Sequence, residues 1–140
     1  MQVWNTRQRT EGPTPVDRSI GGRPSPVWAS RAAGLLGWFF AGAGVMRLLP
    51  VPFDVALFAS WGLPAWFRAA VGIAELTVGV LALRPASRPV GLVGIGVIMV
   101  SAGTMHAALG HGLLVPALVN GPIAVAAFGV AWATRYDLLR

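Results

Sequence analysis

Apolar and polar positions in this chain alternate on the scale of whole segments. Four long apolar runs are separated by short stretches of Pro, Gly and Arg. The first extends from about Ala32 to Leu49 and is stopped by Pro50 and Pro52; the second covers about Ala65 to Leu83 and ends in the Arg84–Pro89 turn. From Pro89 to Thr134 there is no Asp, Glu, Lys or Arg. That stretch is more than twice the ~20 residues one helical crossing needs. Gly110-His111-Gly112 divides it into a third span, about Val90 to Leu109, and a fourth, about Leu113 to Trp132. The pattern predicts an all-α fold, a four-helix transmembrane bundle over residues 29–135.

Two segments fall outside this scheme. Residues 1–28 carry Arg7, Arg9, Arg18 and Arg23 among many prolines and glycines, with almost no apolar periodicity. They cannot bury enough surface to offset ordering, and a disordered cytoplasmic tail is expected. Between Pro50 and Pro64, Phe53, Leu57 and Trp61 recur at i, i+4 and i+8, with Asp54 beside them. This stretch is too short to span and reads as an interfacial segment on the membrane surface.

Composition supports a membrane protein. Of 140 residues, 55% are hydrophobic and only 11% charged, against about 25% charged in a soluble domain. Such a chain cannot coat a globule with charge. Cysteine is absent, which excludes disulfides, thiolate metal sites and Cys nucleophiles. The net charge of +6 comes from eleven arginines that flank the apolar runs instead of clustering among stacking aromatics. Nucleic-acid binding is therefore not expected. Arg31, Arg84, Arg88, Arg135 and Arg140 fall on one side of a four-span topology, so the positive-inside rule puts both termini in the cytoplasm.

Ionisable and polar residues inside apolar spans are the candidates for chemistry, because lipid makes each of them costly. Glu75 lies near the middle of the second span. Arg47 sits about one turn from the outer end of the first span, and its side chain leans toward Glu75. Arg68 precedes Glu75 by two helical turns and shares its face. The rise between them is roughly 10 Å, so a bridging group fits as well as direct contact. His106 is near the outer end of the third span, and Asn120 precedes Gly121-Pro122, where a proline kink can turn it inward. These five are the ligand-binding or proton-relay candidates, although each has a plain structural alternative such as headgroup snorkelling or helix bonding. No metal site is expected, since the i, i+5 spacing of His106 and His111 splays their faces. Ala33, Gly37 and Ala41, with Gly91, Gly94 and Gly96, read as close-packing helix faces.

Several of these residues carry a family resemblance. Ala41-Gly-Ala-Gly-Val-Met-Arg47-Leu resembles the Ala-Gly-x-x-Lys-Leu signature of DoxX-like membrane proteins, with Arg in place of the usual Lys. Gly62-Leu-Pro-Ala-Trp-Phe67 is similar to the segment opening their second span, Gly72-Ile-Ala-Glu75-Leu to their embedded Glu motif, and His106 falls where a third-span His is common. The resemblance covers about Ala32 to Trp132. It implies a four-helix bundle in the inner, cytoplasmic membrane of a bacterium. It also implies a small partner of a membrane oxidoreductase, some members being linked to quinone; distant relatives act as membrane chaperones.

The leading expectation is an accessory subunit of a membrane redox system with a quinone-accessible polar pocket. The competing one is an assembly or scaffold protein without catalytic activity. Whether the chain is itself an enzyme stays open, because no intrinsic electron carrier is evident. Expected partners are the lipid bilayer, a membrane redox protein and a second copy of the chain.

Overall fold

The computed structural model describes residues 25–139. The expected disordered tail lies outside the described residues, except at its end. Pro26 stands at the N-cap of α1, Val27–Leu48, where its carbonyl accepts from the amides of Ala29 and Ser30 at 3.0 and 3.2 Å. The helix therefore begins ahead of the expected start near Ala32, and takes in Val27 and Trp28.

The chain breaks at Pro50-Val51 and turns through 82° into α2, Pro52–Ser60, which has proline in its first turn. Gly62, with φ of +70°, and Pro64 then lead into α3, Ala65–Leu83. A short 3-10 turn, Pro85–Ser87, connects to α4, Arg88–Ala108. The last helix, α5, covers Gly121–Ala133 and is entered through a π-helical turn at Pro116–Asn120. A 3-10 segment, Arg135–Leu139, follows.

The π turn stands where a simple proline kink was expected. Pro122 has no N–H to donate, and Gly121 donates five residues back to the carbonyl of Pro116. The extra residue in that turn brings Asn120 to the inside, where it is buried.

Helices α3, α4 (with its preceding turn) and the Pro116–Ala133 helix are each long and apolar enough to cross a membrane. α1, which holds Arg31 and Arg47, meets the same standard only together with the bent segment α2. Three helices thus qualify outright and a fourth with its bend.

Glycine sets the spacing of α1 against α3. A Cβ on Gly44 would strike the backbone of Leu76 and Gly72, and one on Gly79 would strike the backbone of Gly37 and Ala41. Gly37 and Gly44 on one helix thus interlock with Gly72 and Gly79 on the other, each pair two turns apart. Where lipid removes the hydrophobic drive between helices, such close backbone approach supplies the packing energy. Gly91 similarly meets the backbone of Leu81 and Ala82, Gly94 the side chain of Val78, and Gly96 the ring of Phe128. The small-residue rows seen in the sequence are therefore used within the chain.

The bundle is unevenly filled. Ala29, Ala33, Phe40, Ala82, Leu92, Ile95, Ala127, Val130 and Ala131 form a tight core toward the end that holds both described chain ends. That end is also tied polarly. Arg88 Nη1 donates to Asp137 Oδ2 at 2.9 Å, and Ser25 Oγ donates to Asp137 Oδ1 at 2.6 Å. The opposite half of the bundle, beneath α2, is hollow.

Candidate functional site

The hollow is a cavity of about 400 Å³. Its walls are mainly apolar: Phe39, Phe40 and Ala43 from α1, Phe67, Val71 and Ala74 from α3, Val97, Ile98, Met99, Ala102 and Met105 from α4, and Val119 and Ile123 from the last helix. Four of the five residues singled out in the sequence stand on it: Arg47, Glu75, His106 and Asn120. They come from four different helical segments and converge only because the bundle folds.

Arg47 and Glu75 form an ion pair, with Arg47 Nη1 donating to Glu75 Oε2. Glu75 is only 3% exposed, so its carboxylate depends on this partner. The Arg47 guanidinium also lies 6.0 Å from the centre of the Phe58 ring. Its Nε is buried without a hydrogen bond, on the side of Asp54. Asn120 donates from Nδ2 to the carbonyl of Met99 at 3.3 Å, fixing the amide between α4 and α5.

Arg68 is placed differently from the expectation. It is not on the cavity wall, and Glu75 is not its partner. Its Nη1 donates to the carbonyls of Arg47 and Leu49, the latter at 2.9 Å, and lies 3.6 Å from Asp54 Oδ2. It satisfies carbonyls that the end of α1 leaves without helical partners and holds α2 to them. Asp54 also lies 3.9 Å from Arg47 Nε. Two arginines and two carboxylates therefore form one balanced cluster running from the roof into the cavity.

The row Phe53, Leu57 and Trp61 is split on α2. Phe53 is 76% exposed, whereas Phe58 is buried and Trp61 lines the cavity. Asp54, Leu57, Phe58 and Trp61 make the inner stripe, at i, i+3, i+4 and i+7. Asp54 decides the rotation, because its carboxylate must reach the arginines. Phe58 was missed in the sequence, and its i+4 relation to Asp54 was the available signal.

His106 and His111 also depart from the expectation of splayed faces. α4 ends with Gly110 at φ +71°, and the amides of Gly110 and His111 bond back to Ala107 and His106 at 3.2 and 3.0 Å. This is a Schellman ending, and it folds the turn over the last helical residues. It brings the two Nδ1 atoms to 3.4 Å. Trp61 packs on both rings, 5.0 Å from His106 and 5.3 Å from His111 between centroids. Among the described residues, no group of three or more His, Cys, Asp or Glu side chains could hold a metal.

Asp137 and Arg88 were not among the candidates. Asp137 is 2% exposed and held by Arg88 and Ser25 at the far end of the bundle. No local pattern marks it; an isolated Asp near a chain end looks solvated until α4 arrives beside it.

Long apolar helices, exposed Trp, Phe, Leu and Val over much of the outer surface, and a charged cluster kept inside together define a helical integral membrane protein with an internal polar pocket. The model of the DoxX-like family matches residues 32–132, and the chain belongs to that family. No curated protein and no solved structure matches the chain significantly.

Proposed function

We propose that the protein is a four-span subunit of the inner membrane that receives the head of a membrane quinone in its pocket, as an accessory component of a redox system. α1, α3, α4 and the last helix are the four spans, α2 lies along the outer surface as a roof, and both termini are cytoplasmic. The arginine distribution supports this orientation.

The observation that carries the reading is the pairing of an apolar cavity of about 400 Å³ with the convergent polar groups Arg47, Glu75, His106 and Asn120. That size and make-up suit a small organic ligand held by a few oriented polar groups. The charges at the site balance, so there is no surplus to hold an anion. A neutral ring with carbonyl oxygens fits better than a carboxylate or phosphate. The Arg47 guanidinium on the wall can donate to a carbonyl, Glu75 keeps it in place, and His106 and Glu75 are groups able to hold or pass a proton. A bound quinone would supply the electron chemistry; this chain's residues bind it, orient it and exclude water.

Trp61 on the wall is a native reporter. The protein, purified in mild detergent, is titrated with a benzoquinone while tryptophan fluorescence is followed. Saturable quenching that is lost in Trp61→Phe and weakened in Arg47→Leu supports the pocket. Quenching that never saturates, or is indifferent to both substitutions, rejects it. Mass spectrometry of lipids and proteins co-purifying from the native membrane then tests the redox assignment, with a stable non-redox client counting against it.

A further inference from the structure

We propose that the pocket opens sideways into the lipid between α1 and the last helix, and that its ligand carries a single long apolar tail which leaves through this seam. The inference rests on the pocket reading above for the ligand's head.

Phe39 on α1 and Val119 on the last helix both line the cavity, yet they are 63% and 48% exposed. Side chains that belong to the wall and also to the outside mark the edge of an opening; Ala74, Val97 and Ser101 do so between α3 and α4 as well, and the contact between helices is what separates the two seams. The seam between these two helices differs from the others. α1 and α3 are locked by Gly37, Gly44, Gly72 and Gly79, and α3 and α4 approach closely at Gly91 and Gly94. α4 and the last helix meet at Gly96 against Phe128, and at Gly103, where a Cβ would lie 3.4 Å from Asn120. No glycine of α1 contacts the last helix, and the two touch sparsely.

Connectivity gives the same result. A short segment joins each of the other neighbouring pairs at one end, whereas α1 and the last helix are the first and last of the bundle. The alanine-rich core and the Ser25–Asp137–Arg88 ties close this seam at the far end. At cavity height nothing equivalent closes it.

The roof leaves the side as the natural route. α2 is fastened above by the Arg68 bonds to Arg47 and Leu49 and by packing of Trp61 on both histidines. A ligand coming sideways arrives from hydrocarbon, and a tail remaining there keeps its apolar contacts. A tailless water-soluble molecule would gain nothing from such an opening.

The test compares one dimethoxy-methyl-benzoquinone ring with and without a decyl tail, read as the quinone bound by purified protein in nanodiscs over that taken up by empty nanodiscs. Val119→Trp narrows the seam, Val97→Trp adds the same bulk on α4, and Leu35→Trp adds it at a 75% exposed position off the cavity. Comparing each ligand with itself across variants cancels its partitioning into lipid. Val119→Trp is expected to weaken the tailed ring about tenfold more than the tailless ring, with Leu35→Trp unchanged for both. Equal loss of both rings in Val119→Trp overturns the tail path, as does a tail-dependent loss seen in Val97→Trp instead. Failure of either ring to bind the unsubstituted protein overturns the pocket reading itself.

Discussion

Arg47 and Glu75, 28 residues apart in the chain, meet as an ion pair on the wall of an otherwise apolar cavity. The pair links the end of α1 to the middle of α3, and through Asp54, 3.9 Å from Arg47 Nε, it reaches the roof. Removing either partner leaves a charge in a place built for two.

Arg47→Leu should therefore destabilise the folded protein by about 3 kcal/mol, the usual cost of stranding a buried charge. The double variant Arg47→Leu/Glu75→Leu should recover much of that loss. Reversible unfolding in mixed detergent micelles, analysed as a double-mutant cycle, measures the coupling, expected at about 1–3 kcal/mol. Additive losses would show that the two side chains do not act together.

Two glycines on α1 should respond oppositely to substitution. Gly44→Ala pushes a methyl into the backbone of α3, which cannot rotate away, and should cost about 1–3 kcal/mol. A Cβ on Gly42 meets nothing within 4 Å, so Gly42→Ala should be neutral or gain up to about 1 kcal/mol from helix propensity. Thermal unfolding of the two variants side by side decides it.

Arg68→Gln should loosen the roof without entering the cavity. The charged hydrogen bonds to Arg47 and Leu49 are lost, at a cost of about 1.5–3 kcal/mol. The expected signature is a red-shifted Trp61 emission, taken as the difference from a Trp61→Phe background, and faster proteolysis in the segment between α1 and α3. An unchanged spectrum would mean that α2 is held by its aromatic contacts alone.

Asp137→Leu tests the opposite end. It strands Arg88 in the tie with Ser25 and Ser30, and should cost about 3 kcal/mol of stability. Because Asp137 is far from the cavity, the affinity of the surviving folded protein for a quinone should stay within about twofold. A parallel loss of affinity would show that the two ends communicate.

Much of the architecture was legible in the chain. The apolar runs, the breaks at Pro50, Pro52 and Pro64 and the Gly110–Gly112 turn follow from helix physics that acts within a few residues. The isolation of Glu75 in an apolar run is likewise local, because the cost of burying a carboxylate does not depend on what its partner turns out to be. The row Phe53, Leu57 and Trp61 did not by itself say which side of α2 turns inward. Phe53 and Phe58 are equally apolar, and only the ionic demand of Asp54 on arginines from other helices distinguishes inside from outside. His106 and His111 were judged from ideal helical spacing, whereas the left-handed Gly110 ends the helix between them and changes their relation.

By itself, then, the sequence determined that this is a helical membrane protein, which proline and glycine breaks divide its helices, and which side chains are too polar for lipid. Those outcomes depend on backbone hydrogen bonding and transfer energies, which each segment satisfies alone. Only the tertiary structure decided that Arg47, Glu75, His106 and Asn120 share one cavity, that Arg68 serves the roof, and that Asp137 is buried. Each depends on how close two helices come, and that distance is set by which glycines face which backbone across the bundle.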